Sequence, residues 1–130
     1  MPLFNKIDKE RRLVISTACD VLTMADALAH QKQILSDPDF DPSFSQLADF
    51  THVTRFDLGM DDIRMLAQKS IFSPASRRAF VVKGDLAYGL ARMFEILRET
   101  MGEQGIGVFR NLDDALEWVL SEKGTNPKIR

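Results

Sequence analysis

Residues 86–101 restrict the fold of this chain more than any other stretch. The apolar positions Leu86, Leu90, Met93, Phe94, Leu97 and Met101 recur there at spacings of three and four, which makes one face of an amphipathic helix. Short apolar runs bracket it, residues 79–82 before and residues 106–109 after, and each has the length of a buried strand. Lys83-Gly84-Asp85 turns the chain into the helix, and the glycines at 102 and 105 end it. A strand, a helix and a strand in that order imply parallel pairing, because the crossover helix carries the chain back to where the first strand began.

The same alternation runs through the rest of the chain. Leu3, Asn5 and Ile7, then residues 11–17 around Leu13, Val14 and Ile15, predict two strands separated by the charged residues 8–10 and consistent with a hairpin. Thr23, with Asp26 three positions on, forms a capping box. Met24, Ala27, Leu28, Gln31, Ile34 and Leu35 then predict a helix over residues 24–35. Two Asp-Pro dipeptides make residues 36–45 a loop, anchored by Phe40 and Phe44.

Residues 46–50 read as a central strand, followed by partial alternation through Val53, Phe56 and Leu58. Ile63, Leu66 and Ala67 mark a short helix over residues 60–69, with Asp61 and Asp62 in the first turn, where the helix dipole favours negative charge. Ser73-Pro74 opens no more than a turn. Asn111 and Asp114 offer another capping box for a last helix lined by Leu112, Ala115, Leu116 and Val119, with Trp118 at its flank.

The expected fold is α/β: a mixed, mostly parallel sheet of four or five strands with packed helices and an antiparallel N-terminal edge. Ile15, Leu47, Val81 and Val108 should share that sheet. Residues 1–120 form one domain in this reading, and residues 121–130 a polar tail that frays.

A chain of 130 residues can bury roughly 65–70% of its unfolded surface and needs no metal or disulfide to hold a core. Its net charge of -2 gives no bulk attraction to nucleic acid or anionic lipid. The basic clusters at residues 9–12 and at Arg77-Arg78 read as solvated surface. Cys19 is the only cysteine, which fits a reducing compartment. No stretch reaches the length of apolar residues that a membrane helix needs, and residues 1–12 lack the pattern of a secretory signal. A cytoplasmic protein without membrane insertion is expected.

Candidates for chemistry are few. His30, near the end of the first helix, reads as a surface or capping residue. His52 follows the central strand, and with Thr51, Thr54 and Asp57 it could form a polar site. Cys19, Asp20, His30 and His52 have no metal-ligand spacing, so no metal and no cofactor are expected. The glycines at 102, 105 and 107 precede a strand and suggest turns, not a dinucleotide site. Cys19 beside Asp20 reads as a buried small hydrophobe with a disfavoured thiolate.

Gly89 inside a helix costs about 1 kcal/mol relative to alanine. With Ala87 and Ala91 it allows close packing, either on the sheet or on a second molecule or ligand near Tyr88 and Arg92. Arg92 can pair with Glu95 or Glu99 along the helix.

The pieces LVISTACDVLT, FSQLADFTHVTRFD, RRAFVVKGDLAYGLARMFE and VFRNLDDALEWV together resemble a family of small bacterial proteins described as STAS-like or SpoIIAA-like. The resemblance runs from about Leu3 to Leu120 and implies a single cytosolic domain with a mixed sheet. Better-known anti-sigma factor antagonists of related fold bind a partner kinase and are switched by phosphorylation of a serine in an Asp-Ser-Ser or Asp-Ser-Gly motif. Asp57 and Gly59 fall on that motif, but Leu58 occupies the serine position and has no hydroxyl. The switch therefore does not carry over.

Three functional readings follow. The first is a non-enzymatic interaction or regulatory domain, with a protein partner or a homodimer. The second is a binder of a small apolar or anionic ligand, with Phe40, Phe44, Phe56 and Phe94 lining a pocket and Arg77, Arg78 or Arg92 supplying charge. The third is an enzyme using residues 51–57.

Overall fold

The computed structural model describes residues 3–121; the rest of the tail expected at residues 121–130 lies outside them. The elements follow the chain as β1 (Leu3–Asp8), β2 (Leu13–Thr23), α1 (Met24–Ser36), β3 (Ser45–Asp57), α2 (Met60–Gln68), β4 (Arg78–Val81), α3 (Asp85–Thr100), β5 (Ile106–Phe109) and α4 (Leu112–Leu120). The five strands form one sheet in the order β1-β2-β3-β4-β5. β1 is antiparallel to β2, and the three other pairs are parallel. The hairpin turn is closed by Arg12 at φ 54°.

Strand order that advances one step per crossover has a physical consequence. Crossovers of one hand place every connecting helix on the same face, and α1, α2 and α3 do share a face, lining one pocket. α4 follows the last strand and covers the opposite face. There Ala115, Trp118 and Val119 pack on Leu13, Leu47, Ala79 and Val81. Trp118, expected at a helix flank, is 2% exposed and stands at the centre of that layer. Ile15, Leu47, Val81 and Val108 do belong to one sheet. The first three lie on the α4 side, while Val108 pairs with Phe80 on the other.

β2 and β3 are longer than their sequence patterns suggest. β2 continues six residues past Thr17 to reach the cap of α1, and β3 runs through the segment expected to be a separate passage after residue 50. Two register shifts between these strands, after Thr17 and after Asp20, interrupt the alternation. Asp49 accepts bonds from the Thr51 backbone N–H at 2.9 Å and the Thr51 hydroxyl at 2.7 Å, filling the first irregularity. Asp20, at φ 60°, sits beside the second.

The helix starts follow their caps. Thr23 Oγ1 accepts from Asp26 N at 3.2 Å and Asp26 Oδ2 accepts from Thr23 N at 3.2 Å, the reciprocal box. Asn111 Oδ1 accepts from Asp114 N at 3.0 Å. In the loop before β3, Phe44 is buried and Phe40 meets Phe72 edge to face at 5.5 Å.

Candidate functional site

The sheet face opposite α4 is the floor of an apolar pocket of about 140 Å³. α1 packs on β1 and β2, whereas α2 packs on α3, and the pocket lies where residues of all three helices meet over the sheet. Ala48, Phe50 and Phe80 contribute floor; Ala27, His30 and Ile34 come from α1, Ile63 and Leu66 from α2, and Ala87, Leu90, Ala91 and Phe94 from α3. Small side chains make the space. Ala48 stands in the floor where the neighbouring row carries Phe80, and Ala87 and Ala91 stand one helical turn apart in the wall.

A chain of polar groups crosses this floor. Ser16, Gln46 and Arg78 project from neighbouring strands, with Gln46 and Arg78 paired in register. Arg78 Nε donates to Gln46 Oε1 at 3.3 Å, Gln46 Nε2 donates to Ser16 Oγ at 3.1 Å, and Ser16 Oγ lies 2.9 Å from His30 Nε2. His30 is 7% exposed. Burial pushes its imidazole below the usual histidine range, towards the neutral form. Its Nδ1 is buried and bonds no group among the described residues. The expectation of a surface or capping histidine is thus corrected: the residue lies on the inner face of α1 and reaches back to β2.

Arg78 is buried against three rings, with its guanidinium carbon 4.9 Å from the Phe72 centroid, 5.5 Å from Phe80 and 5.4 Å from Phe94. It also reaches Ser70 Oγ at 3.3 Å and Glu103 Oε1 at 3.5 Å. Burial pulls its pKa down, and the Glu103 carboxylate opposes that pull. Glu103, 1% exposed, accepts from Arg98 Nε at 2.7 Å, and Arg98 Nη1 donates to the Ala67 carbonyl at 2.8 Å. A buried Arg-Glu-Arg cluster therefore ties β4 and the α3–β5 turn to the end of α2.

Arg77 and Arg78, expected on the surface, are both buried, because β4 lies between β3 and β5 and its two faces are covered by different helices. Adjacent residues of a strand point to opposite faces. Arg77 consequently serves the α4 side, where it donates to the Trp118 carbonyl at 2.8 Å and to Ser121 Oγ and lies over the Trp118 ring at 5.2 Å. Of the three arginines considered for ligand charge, Arg78 alone lines the pocket. Arg92 pairs with Glu95, as the helical spacing suggests. Of the four phenylalanines considered, Phe56 and Phe94 line it, while Phe40 and Phe44 pack with Val14, Ile34 and Phe72.

The remaining candidates lie elsewhere. His52, Thr54 and Asp57 are exposed on the far half of β3, and none lines the pocket. His52 pairs in register with Cys19 and Asp57 with Thr23; five residues of extended chain set them roughly 15 Å apart. Tyr88 lies under the Arg110 guanidinium at 4.3 Å. Gly89 is exposed, and a Cβ there would meet nothing within 4 Å, so the glycine is not required by packing on the sheet. Cys19 is partly exposed, which corrects its expected burial. Desolvation first, and the Asp20 carboxylate second, raise its thiol pKa as anticipated. Among the described residues no three His, Cys, Asp or Glu side chains gather as metal ligands, and no helix is long and apolar enough to cross a membrane.

Ser16, His30, Gln46 and Glu103 were missed by sequence reasoning as parts of one site. The signal that could have found them is a polar residue inside an expected strand, at Ser16 and at Gln46.

No protein-family model matches the chain, and neither does any curated protein sequence. A solved structure does: an uncharacterised protein of the DUF3478 family with a SpoIIAA-like fold, from Shewanella loihica PV-4. The two are 19% identical, the match covers 90% of this chain and 91% of that one, and the TM-score is 0.56. With its mixed five-stranded sheet and four helices, the chain has the SpoIIAA-like fold that its sequence resembles.

Proposed function

We propose that this protein is a non-enzymatic domain that binds a small, predominantly apolar molecule between its sheet and helices α1, α2 and α3. The observation carrying this reading is the pocket of about 140 Å³, walled by aliphatic and aromatic side chains with one line of polar groups across its floor. Ligand sites have that composition, an apolar lining with a few placed polar groups. The size suits a molecule of about six to eight heavy atoms, since a dry cavity of about 150 Å³ takes up benzene. Native mass spectrometry of the purified chain is expected to show a retained small molecule or uptake of an added one. A chain that stays empty, and whose Tm is unmoved by a panel of cyclic hydrocarbons and ketones, refutes the reading.

A partner-binding role is the second reading, and it rests on the outer face of α3. Leu86 is 74% and Ile96 50% exposed, and Gly89 lies between them on the same side. Sedimentation velocity over a concentration series tests self-association there: a dimer that Leu86→Lys dissociates supports it, and a monomer at all concentrations removes the homodimer.

A further inference from the structure

We propose that the guest of the pocket is a small apolar carboxylic acid in its ionised form, with one carboxylate oxygen accepting from Arg78 Nη2. This rests on the pocket being a ligand site and names the chemistry of what it takes. Arg78 lines the pocket and is 7% exposed, yet its polar contacts are poor. Gln46 Oε1, Ser70 Oγ and Glu103 Oε1 stand 3.3, 3.3 and 3.5 Å from its guanidinium nitrogens, all beyond the usual N–H···O range. Glu103 makes its short bond, 2.7 Å, with Arg98 instead. Two guanidinium groups thus share one carboxylate oxygen, and this trio carries an excess positive charge. A guanidinium does not shed its proton inside a protein, so the excess is relieved by an anion.

The shape of the guanidinium says where that anion sits. In the planar fork, Nε–H and one Nη2–H run parallel along the edge that meets carboxylates, and Nη1 lies on the other side. Nη1 is turned towards Ser70 and Glu103, whereas Nε faces Gln46. Nη2 therefore lies on the Gln46 side, and Gln46 lines the pocket. Nη2 donates to no group among the described residues, and it is not closed off. Among those residues the side-chain atoms that are both buried and unpartnered are His30 Nδ1, Glu103 Oε2 and Trp118 Nε1; Nη2, which is not one of them, keeps surface that a water-sized atom reaches. The rings around the group, Phe72, Phe80 and Phe94, line the same pocket. Ser70, also in the lining, accepts from Phe72 N at 3.1 Å and from Arg78 Nη1, which leaves its hydroxyl proton to donate. An apolar lining with so few donors suits a monocarboxylate on a hydrocarbon body and not a phosphate, whose several charged oxygens would go unmatched.

The test uses the full chain at neutral pH with two compounds of nearly the same shape, cyclopentanecarboxylate and cyclopentyl methyl ketone, the acid isotope-labelled at its carboxyl carbon. Calorimetry is expected to show binding of the acid, and carbon NMR to report the bound acid as the carboxylate. The ratio of acid to ketone affinity should fall about tenfold in Arg78→Met, a variant that leaves the Arg98–Glu103 pair in place. Comparing ratios cancels each compound's own cost of leaving water. Gln46→Glu keeps the arginine but sets a carboxylate of the chain itself against Nε; it should lower the ratio too and serves if the methionine variant does not fold. A bound acid that is protonated, a ratio unchanged in both variants, or an acid that fails to bind while the ketone or cyclohexanone binds overturns the carboxylate site and leaves an apolar pocket in place. Binding of none of the three compounds overturns the pocket reading and this inference with it.

Discussion

One carboxylate oxygen of Glu103 faces both Arg98 and Arg78 inside the fold. A buried ion pair of this kind contributes little net stability against an apolar replacement, but removing one partner strands the other charges. Glu103→Leu is accordingly expected to cost about 3–5 kcal/mol in urea unfolding, far more than an exposed exchange such as Asp61→Ala in the i,i+3 pair with Arg64. His30 makes a second prediction. Its folded-state pKa lies below the unfolded one because the charged ring is buried. The unfolded chain therefore binds more protons below about pH 6.5, so stability is full above that pH and falls as pH drops. The slope reaches at most about 1.4 kcal/mol per pH unit, and His30→Gln should abolish it in unfolding curves between pH 7 and 5. Neither residue was legible as a site member. In a sequence, Arg77, Arg78 and Glu103 carry the signal of surface; the arginines are buried because β4 is covered on both faces, and Glu103 because the α3–β5 turn brings it against Arg78 and Arg98, both settled by partners far along the chain.

Helix ends show how buried arginines serve the elements. Neither α2 nor α4 has a basic residue in its last turn. Arginines from neighbouring elements donate to their C-terminal carbonyls instead, Arg98 to Ala67 O in α2 and Arg77 to Trp118 O in α4, where cations complement the helix dipole. The N-terminal ends were readable, because a capping box is local: Thr23→Ala should cost about 1 kcal/mol, measured by thermal unfolding. Strand lengths were not readable in the same way. Bulges let β2 and β3 run on through Asp20 and Thr51 without keeping strict alternation. β5 offers a sharper test of element packing. A Cβ on Gly105 would stand 2.3 Å from the Ser76 carbonyl oxygen, backbone against backbone. Gly105 O also accepts from Arg78 N at 2.8 Å, so the strand cannot move away without losing that bond. Gly105→Ala is expected to destabilise the fold by about 1–3 kcal/mol, with faster amide exchange in β5 as the local readout.

At the scale of the whole molecule, the layering was legible and the space inside it was not. Alternating strands and helices imply helices over a parallel sheet, but whether three helices on one face close the core depends on side-chain volumes across elements. Ala48, Ala87 and Ala91 are unremarkable one at a time; brought together by register and helical phase, they leave the pocket. If the fold tolerates that space because a ligand uses it, filling it should exchange binding for stability. Ala91→Leu is the variant that separates these effects, since it adds apolar atoms to the wall without touching Ser16, His30, Gln46 or Arg78. Filling roughly half of the space, at about 24 cal/mol per Å³ of cavity removed, should raise stability by about 1–2 kcal/mol in urea unfolding. The same variant should lose the Tm response to cyclohexanone that the unaltered chain shows. A rise in stability with ligand response intact would place the binding site elsewhere. A loss of stability would mean that the α3 wall is already packed, and that the space belongs to the fold rather than to a guest.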